Sequence, residues 1–169
     1  MRISQLVRSA IMVSDLDRSR AFYAEVLGLT DVFWSGELRD PTVWHLLGSA
    51  EGSNCRAVIV KAPDAPSYGM IGLFEISNPQ PNALRERDAE LKRGEAVSVF
   101  YCSDLDHIVA HTERLGGRIT AAPVNLVHQG RTKQREMGIR DPDGHAINLI
   151  EWDPENESRP ELTPGNAPA

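Results

Sequence analysis

Histidines are the side chains of this sequence best suited to metal binding or acid–base chemistry near neutral pH. His107 and His111 lie four residues apart, a spacing that can hold a metal ion when both are on one helix. The apolar residues around them predict that this helix packs its other side on a sheet, which leaves both histidines mostly in solvent. His45, beside Trp44, and His128, near the end of a predicted strand, are catalytic candidates as acid, base or hydrogen-bond donor. Surface or structural roles are the alternative for both.

Common catalytic and nucleotide-binding patterns are missing from the sequence. It has no Ser-His-Asp pattern, nucleophile elbow or P-loop, and Gly28 and Gly116 end predicted helices instead of opening them. Residues 141–144 (Asp-Pro-Asp-Gly) predict a tight turn, in which proline fixes φ and glycine tolerates a positive φ. We therefore interpret both aspartates as turn residues, and His145 after them as a strand-edge residue rather than a ligand.

The chain is organised around a repeated segment. Residues 14–17 (Ser-Asp-Leu-Asp) recur unchanged at residues 103–106, an offset of 89 residues. Each copy follows a short apolar run and leads into a helical pattern that ends at a Leu-Gly pair. Matching flanks on both sides predict an internal duplication, in which a strand runs into a helix.

Both copies carry the residues that start helices. Ser14 and Ser103 are predicted to cap the helices by accepting hydrogen bonds from free backbone N–H groups of the first turn. Asp17 and Asp106, three positions later, are predicted to complete a capping box. Apolar residues then recur at helical spacing until a glycine ends each helix.

Periodicity and turn residues predict the remaining elements. Pro41 can open a helix that Gly48 ends, although the residues between them could equally form a strand. The predicted elements, in chain order, are strand 6–13, helix 15–28, strand 31–35, helix 41–47, strands 56–62 and 70–77, then strand 96–102, helix 104–116 and strands 118–121, 124–129, 133–140 and 145–152, with a turn at 129–131.

These elements predict one domain, residues 1–152, built from two modules. Module 1 covers about residues 1–77, a polar linker about 78–94, and module 2 about 95–152. Residues 153–169 are rich in proline and polar residues without periodicity, which predicts a flexible tail.

Composition limits the classes of partner and compartment. The 169 residues carry 18 Lys and Arg against 24 Asp and Glu, a net charge of −6 without a basic cluster, which argues against nucleic acid or an anionic membrane as partner. No apolar run approaches the roughly 18 residues of a membrane span, and we find no signal-peptide pattern. Cys55 and Cys102 lie in apolar runs without CxxC spacing, so we expect buried free thiols in a reducing cytoplasm.

Two βαβββ units in tandem resemble the vicinal oxygen chelate superfamily, which includes glyoxalase I, bleomycin-resistance proteins and extradiol dioxygenases. Residues 13–29 and residues 140–151 carry the resemblance, which extends over about residues 6–152. It identifies the fold more specifically than the reaction. It implies an α+β fold whose two sheets form an open, U-shaped barrel around a ligand cavity, and it implies a homodimer.

Metal-dependent members resemble one another in four ligands, on the first and last strand of each module. Counting from the repeated segments puts the first-strand positions at Arg8 and Val97, and counting into the last strands puts the others at Glu75 and Asn148. Guanidinium cannot deprotonate to bind a metal and valine has no donor, so this set is a poor metal site. We expect no metal cofactor, with a divalent metal as the alternative, and an ion pair between Arg8 and Glu75 unless an anionic ligand intervenes.

The resemblance also implies which side chains bind a ligand. Arg8, Glu75 and Asn148 would be the polar groups of the cavity, and its apolar walls would come from Met12, Trp34, Trp44, Tyr101 and Met137. Our first hypothesis is metal-free binding of a small anionic or aromatic organic molecule. Such a protein would act by sequestration, or by isomerase or lyase chemistry in which Arg8, Glu75, His45 and His128 are the catalytic candidates. The alternatives are a divalent-metal-dependent lyase, epimerase or ring-cleaving dioxygenase, and a non-catalytic structural or regulatory protein.

Overall fold

The computed structural model describes residues 3–83, 91–128 and 132–151, without the side chains of residues 127, 128, 132 and 133. The chain divides into two compact units, residues 1–84 and 85–169, each with one four-stranded sheet. We call them module 1 and module 2. The centre of the predicted linker, the predicted turn at 129–131 and the predicted tail fall outside the described residues.

Module 1 contains four strands and two helices. The second helix forms as predicted, because the Asp40 side chain caps it at the N–H of Thr42 and Gly48 ends it with a φ of 65°. The sheet has the order β1-β4-β3-β2, with β1 parallel to β4 and the other neighbours antiparallel. The elements are β1 (Arg8–Val13), α1 (Leu16–Glu25), β2 (Asp31–Leu38), α2 (Pro41–Leu47), β3 (Asn54–Lys61) and β4 (Met70–Ser77).

Module 2 repeats the arrangement of module 1 with one helix. Its elements are β5 (Val97–Cys102), α3 (Leu105–Thr112), β6 (Arg118–His128), β7 (Thr132–Arg140) and β8 (Ala146–Glu151), in the sheet order β5-β8-β7-β6. Separate strands at 118–121 and 124–129 were a wrong prediction. The chain stays paired with β7 through two register shifts around Ala121, so Pro123 interrupts the ladder without ending the strand. The α+β class and the tandem modules are confirmed.

Aspartate, not serine, caps the repeated helices. Asp15 and Asp104 have extended backbones, and their carboxylates accept hydrogen bonds from the N–H groups of Arg18 and His107. The prediction that the preceding serines are the caps is therefore wrong by one residue. Aspartate is as effective a cap as serine, and sequence pattern alone does not separate two adjacent candidates.

Each repeated helix covers one face of its sheet with apolar side chains. In α1 the rings of Phe22 and Tyr23 are fully buried and meet edge to face, with centroids 5.7 Å apart. In α3 the buried side chains include Leu105 and Ile108. Burial of a side chain of this size stabilises the fold by about 1.5–3 kcal/mol. The opposite face of each sheet, which the repeated helix leaves uncovered, we call the open face.

Candidate functional site

Strand register defines which side chains of module 1 lie on the open face. Paired residues of neighbouring strands share a face, and alternate residues along a strand change face. Arg8 pairs with Met70 and Met12 pairs with Phe74, whereas the alternate residue Val13 is buried on the α1 side. The open face therefore begins with Arg8 and Met12, two of the residues predicted to bind a ligand. One end of it is covered by α2, where Leu47 packs on a cluster that includes Phe74.

Arg8 lies directly over a glycine at the centre of this face. A Cβ added to Gly72 would be 3.5 Å from Arg8 Cδ and 2.8 Å from the ring of Phe74. The arginine and the aromatic ring thus fill the space that a side chain at position 72 would need. Arg8 is exposed, and within the described residues its guanidinium makes no ion pair. The result is an available cation beside apolar and aromatic groups.

Glu75 lies on the other face, beneath α1. It pairs with Val13, five residues along β1 from Arg8, which corresponds to about 16 Å of strand. Its carboxylate accepts a 2.7 Å hydrogen bond from the N–H of Leu16 and lies 3.7 Å from the guanidinium of Arg56. The predicted Arg8–Glu75 ion pair and the placement of Glu75 on the ligand-binding face are therefore wrong. The carboxylate fixes the start of α1 instead.

Glu151 repeats this arrangement in module 2. Its carboxylate accepts a 2.9 Å hydrogen bond from the N–H of Leu105, and Arg135 binds both Glu151, at 3.0 Å, and Asp106, at 2.8 Å. Each module thus ties its repeated helix to two strands of its own sheet through one arginine and two carboxylates. We call these sets helix latches; they are Asp17, Arg56 and Glu75 in module 1, and Asp106, Arg135 and Glu151 in module 2.

The same register identifies the counterpart of Asn148 in module 1. In module 2 Asn148 pairs with Val99, and in module 1 Gly72 pairs with Ala10. Ala10 and Val99 are equivalent positions of the repeat, because 89 residues separate them. Gly72, not Glu75, therefore occupies the position that corresponds to Asn148. Sequence reasoning missed this glycine because the last strands of the two modules share no motif that fixes their alignment.

The four positions at which the resemblance implies metal ligands do not fit a divalent metal. With the corrected register these positions hold, in chain order, a guanidinium, a glycine without a side chain, a hydrocarbon and an amide. Zinc, nickel and iron sites use imidazole, thiolate or carboxylate instead. Asn148 Nδ2 also lies 3.4 Å from the carbonyl oxygen of Met137, to which it donates. Among the described residues no group of three or more His, Cys, Asp or Glu side chains is placed to hold a metal ion. The set in chain order is Arg8, Gly72, Val97 and Asn148.

The open face of module 2 carries a carboxylate that sequence reasoning missed. Val97, Val99 and Tyr101 share this face with Asn148, and Tyr101 is 47% exposed. Glu136 pairs with Ile150, the residue two positions beyond Asn148, and therefore lies on the same face. Gln134 donates a hydrogen bond to the Glu136 carboxylate. The placement follows only from the pairing of β7 with β8, which the sequence does not show.

The other predicted ligand-binding residues have mixed outcomes. Trp34 lies on the open face of module 1, where its ring covers Gly36. Met137 is a wrong prediction, since it is buried and shares the face of the module 2 latch. The indole N–H of Trp44 donates a 2.8 Å hydrogen bond to the carbonyl of Ser53, which anchors α2.

Two histidine candidates stay untested as catalytic groups. His45 is exposed in the last turn of α2. The side chain of His128 lies outside the described residues. The described contacts do not bring His45 to Arg8.

A polar cluster at the turn before β8 accounts for His145. His145 Nε2 lies 2.9 Å from Ser98 Oγ, and its backbone N–H donates to the carboxylate of Asp141. Burial lowers the pKa of His145, although the carboxylates of Asp141 and Glu95 oppose the effect. Buried Arg140 binds Glu95 and donates to the Gly144 carbonyl, and the hydrogen bond from Arg140 lowers the pKa of Glu95. These contacts hold the turn against β5.

The two cysteines carry free thiols. Cys55 is buried and Cys102 is partly exposed. Burial raises the pKa of Cys102 to about 11, which keeps it protonated near neutral pH.

Two tandem βαβββ modules, each with an open sheet face, define an α+β protein built by duplication. The family model of the Glyoxalase/Bleomycin resistance protein/Dioxygenase superfamily matches residues 2–149, and the chain belongs to this superfamily. No curated protein sequence has a significant match to the chain. No helix among the described residues is long and apolar enough to cross a membrane.

Solved structures of the same superfamily share the fold at low sequence identity. A glyoxalase family protein from Bacillus cereus is 20% identical with a TM-score of 0.70, covering 89% of this chain and 95% of that protein. A mutant of the fosfomycin resistance protein FosX from Listeria monocytogenes, complexed with Mn(II) and 1S,2S-dihydroxypropylphosphonic acid, is 17% identical with a TM-score of 0.56, covering 91% and 97%. A mutant of glyoxalase I from Zea mays is 17% identical with a TM-score of 0.55, covering 85% of this chain and 44% of that one. At these identities the likeness concerns the fold.

Proposed function

We propose that this protein binds a small organic anion with an aromatic or apolar body, without a metal, on the open face of the module 1 sheet. The observation that carries the proposal is the position of Arg8, an exposed guanidinium without an ion-pair partner among the described residues. Guanidinium binds a carboxylate or phosphonate through parallel hydrogen bonds. A permanent cation beside Met12, Trp34 and Phe74 has its clearest use in fixing the acidic group of a ligand.

The apolar part of the ligand would lie against the side chains next to Arg8. Met12 is 37% exposed and Trp34 is 38% exposed on the same face, although both are apolar. The ring of Phe74 and the stem of Arg8 both lie against Gly72. Ligand sites combine apolar walls with a few oriented polar groups, and this surface has that composition.

The open face of module 2 carries polar groups of its own. Tyr101 and Asn148 can form hydrogen bonds with a polar molecule bound on this face. If the molecule is converted, Glu136 is the carboxylate best placed on an open face to act as general base in metal-free isomerase or lyase chemistry. If the molecule is only sequestered, the Glu136→Gln variant will bind as the parent does and no product will form.

The absence of suitable donors at the implied ligand positions supports the metal-free form of the proposal. A divalent-metal-dependent lyase, epimerase or dioxygenase is the competing function, and a non-catalytic structural or regulatory protein is the third. The family resemblance supports a homodimer, and the two free thiols support a location in the reducing cytoplasm. The net charge of −6 argues against nucleic acid as a partner.

The test is ligand-dependent stabilisation of the parent and of two arginine variants. Aromatic carboxylates and phosphonates, with the matching neutral amides as controls, are screened by thermal shift and tryptophan fluorescence with and without EDTA. A ligand at about 100 times its Kd should add about 2.7 kcal/mol of stability. Arg8→Met should abolish the shift with acids, whereas Arg20→Met, which removes an exposed arginine of α1, should not.

Three results would contradict the proposal. Neutral amides that bind as well as the acids would remove the role of Arg8. Binding that EDTA abolishes would support the metal-dependent alternative. A response to thiol conjugates, without any response to aromatic acids, would favour a glyoxalase-like function.

A further inference from the structure

The exposed side of α3 carries two histidines in direct contact. The ring centroids of His107 and His111 are 4.0 Å apart and the ring planes differ by 20°, so the imidazoles are stacked. His107 is exposed and His111 is partly exposed. This pair belongs neither to the open face of module 2 nor to its helix latch.

A hydrogen bond within the helix fixes the proton of His111. Its Nδ1 lies 2.8 Å from the backbone carbonyl oxygen of His107, and a carbonyl oxygen can only accept. Nδ1 must therefore donate, and in the neutral ring the lone pair is on Nε2. A metal-binding histidine commonly donates its other ring N–H to a backbone carbonyl, which fixes both tautomer and ring orientation. His111 already has this arrangement.

We propose that His107 and His111 form a surface binding site for a late first-row divalent cation, separate from the proposed ligand site. Two nitrogens that bind one ion at about 2.0–2.1 Å lie about 3 Å apart. The stacked rings, whose centroids are 4.0 Å apart, reach that spacing when the two imidazoles turn so that their lone pairs converge on the ion. Imidazole favours Cu²⁺, Ni²⁺ and Zn²⁺, with Cu²⁺ bound most tightly, and water completes the coordination.

Two further observations support a cation at this place. His111 lies in the last turn of α3, where the carbonyl groups of the helix end favour positive charge. The duplicated helix α1 carries Arg18 and Phe22 at the corresponding positions, 89 residues earlier. The fold therefore does not require a histidine pair here, and the pair is particular to module 2.

The experiment is metal titration of the untagged protein and three variants. Cu²⁺, Zn²⁺ and Ni²⁺ are titrated by calorimetry after treatment with chelator, and melting temperatures are measured with and without metal. The parent should bind one equivalent per chain, tightest for Cu²⁺, and its melting temperature should rise. His107→Ala and His111→Ala should each lose the tight equivalent, because one imidazole cannot chelate. His45→Ala, which removes an exposed histidine of another helix, should bind as the parent does.

The outcomes decide the proposal independently of the open-face ligand. A parent that binds no metal, or variants that keep the full equivalent, would overturn it. Loss in only one of the two variants would also overturn it, because the ion would then use a different second ligand. All three substitutions are on helix surfaces, and the melting curve without metal verifies that each variant is folded. Binding of aromatic acids should be unchanged in His107→Ala, so failure of one proposal leaves the other intact.

Discussion

Glu75 and Glu151, which share no sequence motif, accept hydrogen bonds from the same backbone position of their modules, the N–H of the first residue of the repeated helix. The two bonds measure 2.7 Å and 2.9 Å. Both glutamates also bind an arginine that reaches an aspartate of the helix. The duplication therefore preserves the helix latch, a set of charged contacts between helix and sheet, as well as the fold.

Neutralising either latch glutamate should destabilise the protein. A hydrogen bond to a charged group contributes about 1.5–3 kcal/mol, and Gln keeps the size while losing the charge. We expect Glu75→Gln and Glu151→Gln each to lower the free energy of unfolding in urea by about that amount. Glu37→Gln is the matched control, since its side chain is 55% exposed and pairs with an exposed arginine. Latch variants as stable as this control would contradict the assignment.

The ion pair between Glu95 and Arg140 should be a strong structural contact of module 2. The side chains are only 15% and 7% exposed, so removal of one partner leaves a buried charge. Glu95→Gln is expected to cost about 3 kcal/mol, measured by urea unfolding at pH 7. The double variant Glu95→Leu with Arg140→Met should lose less stability than Glu95→Leu alone or Arg140→Met alone. A double variant that loses the sum of both would show that the pair is not coupled.

Protonation of His145 should destabilise the fold as the pH falls. Burial lowers the pKa of His145 in the folded state, so the unfolded chain takes up the proton at a higher pH. Neutral His145 makes its full contribution to stability above about pH 6.5, the pKa of a histidine in the unfolded chain. This contribution is lost progressively as the pH falls below that value. Between pH 7.5 and 5.5 the parent should therefore lose more stability than His145→Gln does. His45→Gln should follow the parent; equal slopes for all three would contradict the prediction.

Gly72 should tolerate no side chain while Phe74 is present. A Cβ there would lie 2.8 Å from the phenyl ring, and overpacking costs about 1–3 kcal/mol. Gly72→Ala should lower the melting temperature, and Phe74→Leu should relieve part of the loss in the double variant. Gly36→Ala, where the contact is 3.1 Å to Trp34, provides a milder comparison. A fully stable Gly72→Ala would show that the ring does not cover this position.

Local patterns were sufficient to predict the tandem modules and most elements. Capping residues, periodic apolar side chains and helix-ending glycines act within a few residues, so both copies of the repeat reveal a strand that enters a helix. β4 was predicted at its observed bounds, since turn residues flank a continuous apolar run on both sides. α2 was predicted from Pro41 and Gly48 for the same reason.

The candidate site was harder to predict because strand pairing is not local. The offset between modules is 89 residues for β1 and β5 but 76 for β4 and β8, since the intervening segments differ in length. A single offset cannot align both strands, and counting into each last strand separately misplaced Glu75 by three residues onto the wrong face. A one-residue slip exchanges the two faces of a strand, so the odd shift was decisive. The latch partners of Glu75 are likewise visible only in the fold.

The sheet order β1-β4-β3-β2 has a consequence for biosynthesis. Among the described residues β1 has β4 as its only neighbour, and 62 residues separate the start of Arg8–Val13 from the start of Met70–Ser77. At about 5–20 residues per second, β1 leaves the ribosome roughly 3–12 s before its partner. During that interval the hairpin of β2 and β3 can form, whereas β1 and the first helix have no strand to join. Translation pauses or chaperones that act before β4 emerges would therefore govern the yield of folded module 1 more than those that act later.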